Sequence, residues 1–140
     1  MKQVRHSQFH HYVCPEMYHR DLNVWKEGVE LVKMTYKLLE QFPQSEEFAL
    51  SFQIRKSVVS IPSNIAEGCG RDSDKELYHF LGISAGSLAE LETQLYIAKE
   101  LGYINDTTEV ENKMMTVQKL LTGFRKYIKA NFENDESVKK

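Results

Sequence analysis

The chain has 140 residues, a length that one hydrophobic core accommodates, so a second domain is not expected. Its 18 basic and 20 acidic residues leave a formal net charge of -2, which excludes a global field drawing the protein to nucleic acid or anionic lipid. Cys14 and Cys69 are too few for a secreted disulfide framework, and neither a leader pattern nor a membrane-length apolar run is present; a cytoplasmic protein with reduced thiols and no membrane partner is expected.

No stretch alternates apolar and polar residues long enough to make a strand, so the chain reads as all-α. Residues 1–20 carry four of the five histidines without helical apolar spacing and read as a flexible N-terminal arm. Asp21 is the expected N-cap of a first helix, in which Leu22, Trp25, Val29, Val32, Tyr36 and Leu39 recur at steps of three and four. Pro43 ends it. Val24, Leu31, Leu38 and Phe42 add a second flank, so more than half of this helix demands cover.

Ser45 is the expected N-cap of a second helix, with Glu46 and Glu47 in the first turn where the dipole favours them. Its apolar residues, from Phe48 and Phe52 through Val59 to Ile65, span roughly 200° of the wheel, against the ~100° that one packing face needs. Arg55 falls inside that arc; Ser57, Ser60, Asn64 and Glu67 lie on the other side. Pro62 removes one backbone donor and predicts a kink costing about 3 kcal/mol unless neighbouring side chains compensate. Gly68 reads as the helix stop.

Ser73-Asp74-Lys75-Glu76 is a capping box that opens a third helix, and Gly102 closes it. Leu77, Phe80, Leu81, Ser84, Leu88, Leu91, Leu95 and Ala98 make one face, while Gly82, Ala85, Gly86, Ala89 and Thr93 make another of small residues. From Leu77 to Leu91 only Glu90 is formally charged, as in a helix covered on most sides. Asp106 to Glu109 is a weaker capping signature, followed by Val110, Met114, Val117, Leu121, Phe124 and Ile128 at helical spacing. The pattern fades after Asn131, leaving 132–140 as a polar tail. Residues 21–131 thus predict an antiparallel up-down four-helix bundle, and the surplus apolar surface predicts a homo-oligomer with closed symmetry.

Three stretches, DLNVWKEGVELV in the first helix, QIRKSVVSIPSNIAEGCGR in the second and FLGISAGSLAELETQLYIAKELGYI in the third, resemble the 23S ribosomal RNA intervening-sequence protein family. The likeness runs in register from about Asp21 to Ile128, and NIAEG with GSLAELE is its most specific part. It implies a four-helix bundle assembled as a homopentameric ring without established enzymatic activity, from genes lodged in an insertion of bacterial 23S ribosomal RNA. A related branch resembles the accessory proteins of diversity-generating retroelements, basic pentamers that bind nucleic acid and a reverse transcriptase. This chain departs from that branch in being slightly acidic. The shared motifs fall on Arg55, Asn64, Glu67, Ser87, Glu90 and Glu92, which are expected to serve the bundle or its subunit contacts. A buried Arg55 needs a carboxylate, and Glu67, Glu90 or Glu92 is the expected partner.

Neither metal chemistry nor hydrolysis finds support. Glu16 with His19 and Glu76 with His79 have the i, i+3 spacing of di-iron bundles, but the first pair sits in the arm and the second points away from the Leu77/Phe80 face. His6, His10, His11, Cys14 and His19 fit no standard zinc spacing, and no G-x-S-x-G turn occurs. The Gly-x-Gly at 68–70 lacks the preceding strand that a phosphate-binding loop requires. No catalytic residue, cofactor or metal is therefore expected.

The remaining constellation is basic. Lys119, Arg125, Lys126 and Lys129 lie opposite the Val117/Leu121/Phe124 face and predict one exposed stripe on the last helix, with Lys56 and Arg71 as lesser candidates. Repeated around a ring, such a stripe would contact RNA or DNA through multivalency. The expected function is a non-enzymatic accessory or scaffold that touches RNA or DNA. The alternative is a ring-shaped adaptor that holds a protein partner and has no nucleic-acid role.

Overall fold

The computed structural model describes residues 18–138. Four helices account for most of them: α1 (Asn23–Leu39), α2 (Leu50–Cys69), α3 (Asp74–Glu100) and α4 (Thr108–Val138), with 3-10 turns at His19–Asp21 and Gln44–Glu46. Most of the expected arm lies outside the described residues, as do His6, His10, His11, Cys14 and Glu16. Each helix packs against the next in the chain, and α1 also packs against α4. The centre is filled by Leu31, Ile54, Val58, Ile61, Ile65, Leu77, Leu81, Leu91, Val117, Leu121 and Ile128, all essentially inaccessible. No described helix is long and apolar enough to cross a membrane.

Helix starts depart from the sequence reading in two places. Asp21 does not cap α1: it belongs to the preceding 3-10 turn, and Leu22 occupies the cap position without a side-chain bond. Ser45 likewise lies in a 3-10 turn, so α2 begins later, where the Glu46 carboxylate accepts the Leu50 N–H at 3.1 Å. The physical cause is the same: at each site the chain makes a tight turn first, and the first free helical N–H groups fall beyond the expected cap.

The Ser73 cap forms as expected, its hydroxyl accepting the Glu76 N–H at 3.1 Å. Gly102, at φ 78°, ends α3 in a Schellman motif in which Tyr103 N–H bonds the Ala98 carbonyl and Gly102 N–H bonds that of Lys99, each at 3.0 Å. At the start of α4 the Asp106 carboxylate accepts the Thr108 N–H at 3.0 Å, and the Thr107 hydroxyl donates to Glu111 at 2.7 Å. That backbone bond, with the Thr108 hydroxyl as a further donor, holds the Asp106 pKa below the usual carboxylate range. α4 then continues past Asn131 to Val138, beyond the point where its apolar pattern fades.

Gly68 is not the stop of α2. The helix continues to Cys69 and is closed by Gly70, whose φ of -84° is ordinary right-handed backbone. Position 68 is instead a contact point: a Cβ there would stand 2.9 Å from both Leu77 Cδ1 and Phe80 Cβ of α3. α2 also runs through Pro62 without ending. Pro62 is buried and packs toward α1, where a Cβ on Gly28 would be 3.5 Å from its ring. Around it, Ser84 Oγ donates to the Ile61 carbonyl at 2.9 Å and Asn64 Nδ2 to the Ser60 carbonyl at 2.8 Å. These bonds fall on the two carbonyls just before Pro62, whereas the carbonyl that loses its helical donor is that of Val58.

Gly68→Ala is expected to destabilise the fold by ~1–3 kcal/mol, because Phe80 Cβ is fixed to the α3 backbone and cannot swing aside. Urea unfolding followed by circular dichroism measures it; an unchanged midpoint would contradict the close helix approach at this position.

Candidate functional site

The basic stripe on α4 divides into two kinds of residue. Lys119 and Lys126, seven positions apart, share a face and are exposed. Lys129 is exposed as well and reaches Glu133 at 3.7 Å. Arg125 does not join an exposed stripe. It is half-buried between α4 and α3, with its Cζ 4.8 Å from the Tyr78 ring centroid. Its position explains this: residues four before and three after it, Leu121 and Ile128, are buried, so Arg125 projects along the α3/α4 seam. A guanidinium tolerates that seam because an aromatic face attracts it and its stem is apolar. Gly82 provides the room, since a Cβ there would be 3.3 Å from Arg125 Nη2. Arg71, a lesser candidate, is also engaged, bonded to Glu67 at 2.7 Å and lying 4.7 Å from the Phe80 ring centroid.

The motif residues distribute over the α2/α3 contact and its surroundings. Ser60 and Ser87 hydroxyls meet at 2.8 Å, and Asn64 Nδ2 also reaches Ser60 Oγ at 2.8 Å. Ser57 Oγ donates to Gln94 at 2.9 Å, with Glu90 at 3.4 Å. Glu92 is exposed on α3. Ser57, Ser60 and Asn64 therefore form a seam against α3, while Gln53, Lys56 and Glu67 on the same helix stay exposed. The signal of this seam in the sequence is the match between serines at 57 and 60 and serines at 84 and 87, each set at helical spacing.

Arg55 has a different partner from those expected. It forms a two-pronged bond with Glu47, Nη1 to Oε1 and Nη2 to Oε2 both at 2.9 Å, while its Cζ lies 6.0 Å from the Tyr36 ring centroid. Glu67 is instead taken by Arg71, and Glu90 and Glu92 lie on α3 outside this pair. Glu47 reaches Arg55 because the turn before α2 folds back beside the helix, an arrangement that wheel geometry does not contain. The Arg55 hydrogen bond holds the Glu47 pKa below the usual carboxylate range, and Glu47 raises that of Arg55. Nearby, Glu46 accepts the Tyr103 hydroxyl at 3.0 Å and pushes the phenol pKa up.

Much apolar surface stays open. Phe48, in the turn before α2 rather than on the helix as its sequence pattern predicts, is 93% exposed; on α2 itself Phe52 is 51% exposed and Val59, seven residues on, shares its side. On α3, Gly86, Ala89 and Thr93 face outward together with Ile83, Tyr96 and Ile97. A cleft of about 810 Å³ lies between α3 and α4, with Leu88, Leu95 and Met114 on its floor and Glu92, Tyr96 and Met115 at its rim. Among the described residues no group of three or more His, Cys, Asp or Glu could hold a metal ion. His19 rests edge-on against Trp25, with ring centroids 5.3 Å apart.

Four helices, serine-lined packing, uncovered apolar faces and a lysine-bearing last helix define an all-α helical protein whose features are surfaces. Residues 20–123 match the family model for the 23S rRNA-intervening sequence protein, and the chain belongs to that family. The match ends before Arg125, Lys126 and Lys129, so the C-terminal part of the basic stripe lies beyond it. No curated protein matches the chain.

Glu47 supplies a pH test. Its folded-state pKa is lowered, so its stabilising contribution is present above the ordinary carboxylate range and is lost as pH falls through the lowered folded value. Arg55→Ala is expected to return Glu47 to the ordinary range in an NMR titration of side-chain carboxyls. A Glu47 titration unchanged by that substitution would refute the pairing.

Proposed function

We propose that the protein is a non-enzymatic scaffold or accessory whose copies assemble into a closed ring of five and touch RNA or DNA through α4. Each protomer is an antiparallel up-down bundle in this reading. Ser57 bonding Gln94, Ser60 bonding Ser87 and Ser84 bonding the Ile61 carbonyl support that direction, since advancing along α2 means retreating along α3. Short connections between the helices favour the same topology.

The observation that carries the nucleic-acid clause is the exposed Lys119/Lys126 face with Lys129 beside it, on a chain whose family is named for an insertion in ribosomal RNA. One such face is weak. Five copies held at fixed spacing raise the effective concentration of each contact once the first has formed. The exposed outer residues of α2 and α3 supply the apolar area that a ring would cover.

Light scattering at micromolar concentration is expected to give a mass several times that of one chain; a stable monomer sinks the ring. Mobility shift with a ribosomal RNA fragment is expected to show binding that weakens steeply with salt. Lys119→Glu with Lys126→Glu should lower affinity by roughly tenfold or more at unchanged oligomer size. Absence of a shift at low salt removes the nucleic-acid clause and leaves a ring that binds a protein partner.

A further inference from the structure

A second pocket, of about 500 Å³, opens between the N-terminal half of α3 and the C-terminal half of α4. Tyr78, Ile83 and Phe132 supply its apolar walls, and Lys75, His79 and Arg125 bring nitrogen-bearing side chains to it. Tyr78 and Phe132 meet edge to face, with centroids 5.5 Å apart, which holds both rings in fixed orientations. The Arg125 guanidinium lies over Tyr78, and its Nε is buried with no hydrogen-bond partner. Among the described residues Arg125 makes no ion pair with a carboxylate. Gly82 is the place on α3 where the backbone leaves space for that group.

A guanidinium held by an aromatic ring and lacking an acidic partner presents a plane and a positive charge together. Those are the properties on which an unstacked nucleobase and its phosphate are bound. Lys75 lines the pocket as a further cation, and Lys129 lies one turn beyond Arg125 on α4. Each faces a single carboxylate at long range, Glu136 at 3.8 Å and Glu133 at 3.7 Å, with all four side chains at least half exposed. Such screened pairs are weak enough for a phosphate to displace the acid.

We propose that this pocket is a base-and-phosphate subsite for a single-stranded polynucleotide. The base lies against Phe132 and the Arg125 plane, and the phosphate is shared by Arg125 and Lys75. This rests on the nucleic-acid reading above and deepens it: the lysine face tracks the backbone, while the pocket prefers strands whose bases are free to leave the stack. Duplex nucleic acid keeps its bases paired and gains only the lysine contacts.

Fluorescence anisotropy with labelled oligouridylate, oligothymidylate and a duplex of equal length tests it on the full-length assembly. Phe132→Leu and Arg125→Lys each preserve apolar bulk or charge, and each is expected to weaken single-strand binding by about tenfold, with duplex binding nearly unchanged. Equal loss for both single strands marks a site blind to sugar; loss for the oligouridylate alone marks one that uses the 2′-hydroxyl. Circular dichroism and light scattering confirm that fold and assembly persist in each variant.

A second readout separates this subsite from general binding. Adding adenosine monophosphate should shift the Arg125 Nε–H and Gly82 amide resonances, and ribose 5-phosphate, which keeps the phosphate but lacks the base, should shift them less. Single-strand affinity that falls with Lys119→Glu and Lys126→Glu but not with the pocket variants overturns the subsite and leaves the lysine reading intact. Absence of any polynucleotide binding overturns both. Absence of nucleotide-induced shifts, with polynucleotide binding retained, overturns the subsite alone.

Discussion

The close approach of α2 to α3 is the constraint on which the rest of the molecule depends. At its upper end Gly68 leaves no room for a Cβ against Leu77 and Phe80. Along its length small hydroxyl side chains replace bulky ones: Ser60 meets Ser87, and Ser84 reaches the backbone of α2 beside Pro62. Small residues let two helices come near, and their hydroxyls bond one another or the opposite backbone, so that burial leaves them satisfied. Ser84 is completely buried, yet it costs little because its hydroxyl has an acceptor.

Part of the exposed surface follows from that pairing. Because the serines of α2 are turned against α3, part of the broad apolar arc of α2 turns outward, and Phe52 and Val59 meet solvent. Because α3 gives its Leu and Ser positions to α2 and the core, its small residues Gly86, Ala89 and Thr93 remain outside. α1 approaches α2 at Gly28 and Pro62, where a glycine again faces a rigid ring. A bond from Lys113 to Glu27 at 2.6 Å ties α4 back to α1. Both partners of that bond are partly shielded, which makes it less sensitive to salt than the surface pairs around α4.

Helix number, type and approximate extent were legible in the amino-acid order because apolar residues at steps of three and four are a local signal. The Ser73 box and the Gly102 terminus were legible for the same reason, since each is satisfied within one turn. Gly68 was not, because glycine marks both a helix end and a crowded helix contact, and the difference lies in a neighbour distant in sequence. The same limit governed Arg55. Its sequence position within an apolar arc demanded a carboxylate but did not say which, and the turn at Glu47 supplied it. Arg125 shows the limit most sharply: the wheel placed it with Lys126, whereas the seam between α3 and α4 turned it onto Tyr78.

By itself the sequence determined an all-helical chain of the intervening-sequence family, with more apolar surface than one small bundle covers and a run of basic residues within the last helix. Those properties sum over residues or repeat along a single helix, so no knowledge of neighbours is needed to read them. Only the tertiary structure decided which polar groups face one another, which glycines are contacts, and which cations are free. Pairing, crowding and exposure are relations between helices, and an identical local pattern is compatible with several of them until the helices pack.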